Sequence, residues 1–372
     1  MSDQTVTKTK QGGAGDVKIQ QLFKLMIDSG ASDLHLTVGS SPGLRVNGEM
    51  VRVKIPSLSG DDTKRLVYQI LSESQRSEYE KNMELDFSFG IKGLARFRAN
   101  VFYSKGGVAA VFRTIPSIIP DFKALNLPKV LLEMTDVSNG LILITGPTGS
   151  GKSTTLAALL DRLNEKEAGH IITLEDPIEF VHPHKNCIVN QREIGTDTLS
   201  FHRALKSLLR QDPDIVLVGE LRDAETIEAA LTIAETGHLV FGTLHTNSCV
   251  QTINRIVNVF AADQQDQIRT LLSFVLQGVV AQQLIPKSFE PGRVAALEVM
   301  VPTSGIRNLI REDKIHQIYS QMQIGQDKTG MVTMNQSLLR FVESGLISPE
   351  AAMTYATVPE ELAKKLGLTK GE

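Results

Sequence analysis

A glycine-rich segment in the middle of the chain has the residue types and the spacing that hold phosphate groups. Residues 146–153 read GPTGSGKS and match the pattern Gly-x-x-x-x-Gly-Lys-Ser/Thr. Glycines let the backbone turn tightly and bring its N–H groups near a polyphosphate, where side chains would force strained φ values or block the approach. The predicted nucleotide-binding residues of this loop are Gly146, Pro147, Thr148, Gly149, Ser150, Gly151, Lys152, Ser153 and Thr154.

Two side chains at the end of this loop could supply a positive charge and a metal ligand, which backbone N–H groups cannot. Lys152 would reach the β and γ phosphates of ATP, and the Ser153 hydroxyl is placed to hold Mg²⁺. The apolar run 141–144 predicts a buried strand before the loop, and leucines at helical spacing over 156–163 predict a helix after it. The helix N-terminus would also favour anions. An accidental glycine-rich turn is the alternative, and it would not require this strand–loop–helix context.

Acidic side chains follow two of the later predicted strands. Glu175 comes directly after the apolar run 170–174, and Glu220 follows the run 215–218 with one glycine between. Because ligands collect at the carboxyl ends of parallel strands, both carboxylates are expected near the phosphates. Glu175 is the candidate general base, and Glu220 the candidate to hold Mg²⁺, directly or through water. The two roles could be exchanged.

Two histidines flank the predicted strand 238–244. His245 follows its carboxyl end and could donate to the γ-phosphate, whereas His238 stands at its start and is a further candidate for nucleotide binding. The alternative for either histidine is a structural role in the domain.

Composition limits the function classes. The chain has 372 residues, enough for two domains, and its 39 Lys and Arg against 42 Asp and Glu give a net charge of −3. Because basic residues do not outnumber acidic ones, the composition does not favour nucleic-acid binding, and no nucleic-acid partner is expected. Two cysteines cannot supply a four-ligand zinc site, and both are expected to be free thiols in a reducing cytosol. The most apolar stretch, 271–285, is interrupted by glutamines and is not expected to span a membrane.

The patterns of polar and apolar residues divide the chain into four parts. Residues 1–16 are polar and glycine-rich and are predicted to be disordered, and 17–114 predict a small α+β domain. Residues 115–127 contain two prolines and no period, so they predict an interdomain linker that acts as a hinge. Strands alternate with helices in 128–372, which predicts an α/β domain with a parallel sheet. There, apolar residues over 268–279 predict one long amphipathic helix, and helices are predicted from about 290 to the end.

Three arginines of the first domain could contact phosphate. In ARFRA, residues 95–99, the period of two places Phe97 inward and Arg96 and Arg98 on the opposite face. Arg113 lies on a later predicted strand. Such charges are usually solvated, but phosphoryl transfer commonly recruits arginine from a second domain or subunit. We therefore predict catalytic arginine fingers among these three.

Four motifs together resemble a known family. GPTGSGKSTT, ITLEDPIEFVH, RQDPDIVLVGELRD and ETGHLVFGTLHT resemble, in order and spacing, the Walker A, Asp, Walker B and His boxes of the type II/type IV pilus secretion ATPases. ASDLHL, ARFRANVF, VFRTIPS and GIRNLIRE resemble the pilus-retraction branch, although Gly305 replaces the alanine of its AIRNLIRE signature. The extension-type members usually carry a tetracysteine zinc site, which two cysteines cannot make.

The resemblance implies a PAS-like N-terminal domain, followed in the chain by a RecA-like P-loop ATPase domain. It also implies a homo-hexamer on the cytoplasmic side of the inner membrane, with ATP and Mg²⁺ as cofactors and Arg96, Arg98 and Arg113 facing the nucleotide. Closure over ATP and reopening after hydrolysis would rotate the domains and move an inner-membrane platform protein, which retracts the pilus and drives twitching motility. Possible partners include a paralogous accessory retraction ATPase.

Two alternatives remain open. The chain could be an accessory or nucleotide-gated assembly factor with little motor activity of its own, although intact Glu175, Glu220 and His245 argue against this. A nucleic-acid translocase is the other, since RecA-like rings also move strands, but the absence of a basic surplus argues against it.

Overall fold

The chain divides into two compact units, with the boundary between residues 117 and 118. This computed structural model describes residues 17–116 and 118–368, so the predicted disordered segment 1–16 lies outside the described residues. We call the two parts unit 1 and unit 2. The boundary falls within the predicted linker, 115–127, whose role as a hinge stays a prediction.

Unit 1 is built on one antiparallel sheet with strand order β3-β2-β1-β6-β5-β4. Its described residues form α1 Ile19–Asp28, β1 Asp33–Leu36, β2 Gly43–Val46, β3 Glu49–Arg52, α2 Gly60–Tyr68, α3 Glu73–Asn82, β4 Glu84–Ile91, β5 Ala95–Ser104 and β6 Gly107–Ile115. Asn47 and Gly48 both have positive φ, 51° and 87°, as the turn of the β2–β3 hairpin requires. The α+β class predicted for this part of the chain is confirmed.

An aromatic cluster fills the core of unit 1. Phe23 of α1 stacks on Phe97 of β5, with ring centroids 4.6 Å apart, and meets Phe112 of β6 edge-on at 5.0 Å. All three side chains are fully buried. Because neighbouring residues of a strand face opposite ways, burial of Phe97 turns Arg96 and Arg98 to the other face of the sheet, as predicted.

Unit 2 contains a seven-stranded sheet flanked by helices. Its described residues form α4 Val130–Met134, β7 Gly140–Thr145, α5 Lys152–Lys166, β8 His170–Glu175, β9 Ile188–Glu193, α6 Phe201–Leu208, β10 Ile215–Val218, α7 Ala224–Glu235, β11 Leu239–Leu244, α8 Cys249–Asn258, α9 Gln265–Val275, β12 Leu276–Pro286, β13 Arg293–Met300, α10 Ser304–Arg311, α11 Ile318–Met322, α12 Gln326–Thr329, α13 Met334–Glu343, α14 Pro349–Tyr355 and α15 Pro359–Lys365. The strand order is β13-β12-β7-β11-β10-β8-β9, and β13 runs antiparallel to β12 while the other neighbouring strands are parallel.

Both faces of this sheet are covered. All six residues of β7 are buried, and its four central residues alternate between two apolar clusters. Leu141 and Leu143 pack with side chains of α6 to α10, whereas Ile142 and Ile144 pack with side chains of α4 and α5. The α/β layering predicted from the alternation of strands and helices is therefore confirmed.

The predicted helix over 268–279 is wrong in its last four residues, 276–279. Helix α9 ends at Val275, and Leu276 has the extended φ of −65° and ψ of 126° with which β12 begins. Within β12, Val279 faces one apolar cluster and Val280 faces the other. A continuous apolar run fits a buried strand as well as a helix, so periodicity alone could not locate this change.

Two further strands, β9 and β13, were not among the predicted elements, and β13 opens the region predicted to be helical from about 290. Side chains of α13, α14 and α15 form a separate apolar cluster with Ile285 of β12 and Ala296 of β13. Within residues 17–116 and 118–368, no helix is both long and apolar enough to cross a membrane.

Candidate nucleotide-phosphate site

The loop between β7 and α5 adopts a conformation that only glycine accepts at several positions. Gly146, Gly149 and Gly151 have φ values of 142°, 78° and 87°. A Cβ on Gly146 would lie 2.2 Å from the backbone oxygen of Gln282, and one on Gly151 would lie 2.8 Å from the Gln282 amide nitrogen. Glycine is therefore required here both for the backbone conformation and for the close approach of β12.

Lys152 closes over the loop. Its Nζ donates to the carbonyl oxygens of Gly146 at 2.7 Å and of Pro147 at 3.1 Å. Burial lowers the pKa of Lys152 below its usual value, while the carboxylates of Glu220 and Glu179 raise it. The ammonium thus lies where the loop would cradle an anion, and phosphate oxygens could replace the carbonyl oxygens as its partners.

Parallel strand pairing brings the predicted side chains to one edge of the sheet. Leu244 pairs with Thr145, and Val218 pairs with Gly242 on one side and Leu174 on the other. The carboxyl ends of β7, β11, β10 and β8 therefore lie side by side. They border a cavity of about 470 Å³, the strand-end cavity, which lies within unit 2. Predicted residues that line it are Thr148, Gly149, Gly151, Lys152, Ser153, Thr154, Glu175, Glu220 and His245.

Two side chains, Arg222 and His245, contact the carboxylate of Glu220. Its Oε2 lies 2.7 Å from Nη2 of Arg222, and its Oε1 lies 3.2 Å from Nε2 of His245. The hydrogen bond and charge of Arg222, with a smaller contribution from His245, hold the pKa of Glu220 below its usual value. The ionised carboxylate of Glu220 and the hydroxyl of Ser153 line the same cavity, and oxygen ligands of these two types suit Mg²⁺.

Glu175 has a different environment. Its carboxylate is almost fully buried and accepts hydrogen bonds from the Thr173 hydroxyl at 2.6 Å, the Gln191 amide at 3.2 Å and the backbone N–H of Glu179 at 3.3 Å. Burial raises the pKa of Glu175, although these hydrogen bonds act in the opposite direction. A carboxylate whose pKa is shifted toward neutrality is suited to accept a proton.

His238 lies apart from this group. Its Nδ1 lies 3.0 Å from the carbonyl oxygen of Ile233 and 3.2 Å from the Thr236 hydroxyl, at the amino end of β11. The six residues of that strand separate it from His245. A single chain therefore does not bring His238 to the strand-end cavity, and its contacts are those of a structural histidine at the end of α7.

The three predicted arginine fingers lie on one face of the unit 1 sheet. Arg98 of β5 pairs with Arg113 of β6, which pairs with Asp33 of β1. Arg113 donates through Nε to Oδ1 of the buried Asp33 at 2.8 Å, whereas Arg98 is exposed and Arg96 half-buried. Contact of these arginines with phosphate stays a prediction.

Three residues of the site were not predicted. Arg222 pairs with Glu220, Gln191 supports Glu175, and Gln282 contacts the phosphate loop. The first belongs to the motif GELRD, so its position two residues after Glu220 could have drawn attention. The two glutamines lie on β9 and β12, whose positions the sequence patterns did not indicate.

The phosphate loop lies between the first strand of a mostly parallel sheet and its helix, and carboxylates lie at the ends of neighbouring strands. This arrangement defines a P-loop ATPase of RecA-like fold. Residues 14–354 match the family described as "Type II/IV secretion system protein". This chain belongs to that family.

Individual relatives are similar over nearly the whole chain. The "Type IV pilus retractation ATPase PilT" of Pseudomonas aeruginosa is 52% identical over 342 residues, which cover 92% of this chain and 99% of the relative. The "Type IV pilus ATPase PilU" of the same organism is 40% identical, over 93% of this chain and 90% of its own length. A crystal structure of the "Pilus Retraction Motor PilT and Bound ADP" matches with a TM-score of 0.89 and 52% identity, over 94% of this chain and 100% of that chain.

Proposed function

We propose that the chain is a Mg²⁺-dependent ATPase motor that powers type IV pilus retraction and twitching motility. The observation that carries this proposal is the strand-end cavity, where Lys152, Glu175, Glu220 and His245 meet beside the phosphate loop. Identity to the retraction ATPase of Pseudomonas aeruginosa is 52%, against 40% to PilU. This difference favours the main motor over an accessory role.

ATP would bind with its β and γ phosphates against the loop N–H groups and Lys152. Mg²⁺, where bound, would neutralise charge on the phosphates, and Ser153 and Glu220 are the residues to hold it. Glu175 would take the proton of the attacking water, and Glu220 could exchange this role with it. His245, next to Glu220, would donate to the γ-phosphate.

Arg96, Arg98 and Arg113 would supply positive charge to the phosphates as fingers, within one subunit or across an interface. Binding and loss of the γ-phosphate would then change how unit 1 sits against unit 2, with rotation about 115–127. In a homo-hexamer on the cytoplasmic side of the inner membrane, that rotation would act on the platform protein.

A complementation experiment tests this proposal. Deletion of the gene in a strain that also lacks any paralogous retraction ATPase should abolish pilus retraction, measured by tracking labelled pili. The wild-type chain should restore retraction and Glu220→Gln should not. Failure of the wild-type chain without the paralogue would instead indicate the accessory role.

A further inference from the structure

Gln282 of β12 contacts both ends of the segment that carries Lys152 and Ser153. Its Nε2 donates to the carbonyl oxygen of Ser150 at 2.7 Å, and its Oε1 accepts from the hydroxyl of Thr155 at 2.7 Å. Both hydrogen bonds are buried, and they join residues 132 and 127 positions apart in the sequence.

The chemistry of the two partners requires an amide. The Ser150 carbonyl can only accept a hydrogen bond, so the side chain that faces it must donate; the Thr155 hydroxyl, donating here, needs an acceptor. Glutamate would place a carboxylate oxygen against the carbonyl, and leucine would leave both buried groups without partners. An unsatisfied buried polar group costs about 1–3 kcal/mol.

The position of Gln282 follows from the sheet. Ala281 of β12 pairs with Thr145, the last residue of β7, so Gln282 stands beside the first residue of the phosphate loop. Its backbone oxygen is the atom that a Cβ on Gly146 would meet, and its amide nitrogen is the atom that a Cβ on Gly151 would meet. Gln282 is 2% exposed, so water cannot readily replace it.

We propose that Gln282 is a positioning residue for ATP binding: it locks the phosphate loop to the first turn of α5 in the conformation that presents Lys152 and the loop N–H groups to the phosphates. This inference rests on the proposed ATPase activity and goes beyond it. Gln282 contacts the loop through Ser150 but is not among the residues that line the strand-end cavity, so it would act through the loop.

The test is Gln282→Leu in the full-length protein, with Gln283→Leu as the matched control. Gln283 is the next residue of β12, half-buried, and by the period of two its side chain faces the other way. Because the loop contacts phosphate in both the ground state and the transition state, Gln282→Leu should raise the KM for ATP about tenfold, with a smaller change in kcat. The Kd for ADP, measured by calorimetry, should rise by a similar factor, and Gln283→Leu should stay within twofold of wild type.

A merely structural role would give a different result. It would lower the melting temperature and the active fraction, and therefore kcat, while KM and the Kd for ADP stayed within twofold of wild type. That result would overturn the proposal.

Thr155→Val provides a milder variant if Gln282→Leu does not fold. It keeps the volume of the side chain and removes only the hydrogen bond from the Thr155 hydroxyl to Gln282. It should raise the Kd for ADP about threefold, and it should add little in the Gln282→Leu background, because both changes break the same contact.

The outcome for Gln282 is separable from the outcome for the proposed function. If the wild-type chain binds ADP but does not hydrolyse ATP, the proposed motor function fails, while the Kd for ADP of the variants still decides the role of Gln282. If the wild type hydrolyses ATP and Gln282→Leu binds ADP normally, only the inference about Gln282 fails.

Discussion

The Nε2 atom of His245 lies 3.2 Å from Oε1 of Glu220, at the carboxyl ends of two neighbouring strands. The other carboxylate oxygen of Glu220 meets Arg222 at 2.7 Å. These contacts hold the carboxylate in one place and in its ionised form, as a group that binds Mg²⁺ or orders water requires.

Replacement of Glu220 should separate hydrolysis from binding. Glu220→Gln keeps the shape of the side chain but removes its charge, so we expect kcat for ATP hydrolysis to fall at least about 100-fold. The Kd for an ATP analogue should change far less, because the loop and Lys152 remain. Phosphate release and fluorescent-nucleotide binding measure the two quantities.

Glu228→Gln is the control for Glu220→Gln. The substitution removes the same single negative charge, and Glu228 is exposed on α7. It should leave kcat unchanged. Wild-type turnover in Glu220→Gln would remove Glu220 from the mechanism.

The pH dependence of turnover distinguishes Glu175 from Glu220 as the general base. A base must be ionised, so activity is lost as the pH falls through its pKa in the folded protein. That pKa is raised above the ordinary 4.5 for Glu175 and lowered below it for Glu220. If Glu175 is the base, the acid limb of kcat/KM should lie above pH 4.5; an acid limb below that value would assign the role to Glu220.

The arginines of unit 1 should be needed for turnover. Arginine fingers contribute about 10³–10⁵ to kcat in other phosphoryl-transfer enzymes. We therefore expect combined replacement of Arg96, Arg98 and Arg113 by alanine to lower kcat at least about 100-fold. Steady-state ATPase assays measure this effect.

Arg52→Ala provides a control for the loss of positive charge from unit 1, because it removes one arginine from β3 at the edge of the same sheet, against three in the combined variant. Its kcat should match wild type. Equal loss in both variants would show that general charge, and not three particular side chains, is responsible.

Asp33 should stabilise unit 1 in a pH-dependent way. Burial raises the pKa of Asp33, but hydrogen bonds from Ser32 and Arg113 outweigh it and lower the pKa below the ordinary 3.8. The stabilisation is therefore present above pH 3.8 and is lost as the pH falls through the lower folded-state pKa. Asp33→Asn should lower the melting temperature at pH 7, and the difference from wild type, measured by calorimetry, should shrink below pH 4. A constant difference at all pH values would contradict this ionic role.

The parts of the site that the sequence predicted depend on local signals. The glycine spacing of 146–153 identifies the phosphate loop, and the parallel strands that precede Glu175, Glu220 and His245 must end at one edge of the sheet. What sequence reasoning missed depends on long-range register. The contact of Gln282 with Ser150 exists because β12 pairs with β7, and the apolar run before it fits a helix as well as a strand. The pairing of Arg113 with Asp33, 80 positions apart, likewise appears only once β6 lies beside β1.

Phosphate release by the purified full-length chain with Mg-ATP is the most direct measurement of the central claim. The wild-type protein should release phosphate in a Mg²⁺-dependent reaction. Lys152→Ala, which removes the ammonium that closes the loop, should reduce the release to background. Absence of both ATP binding and hydrolysis in the wild type, or equal turnover in Lys152→Ala, would contradict the claim that this loop binds the phosphates of ATP for hydrolysis.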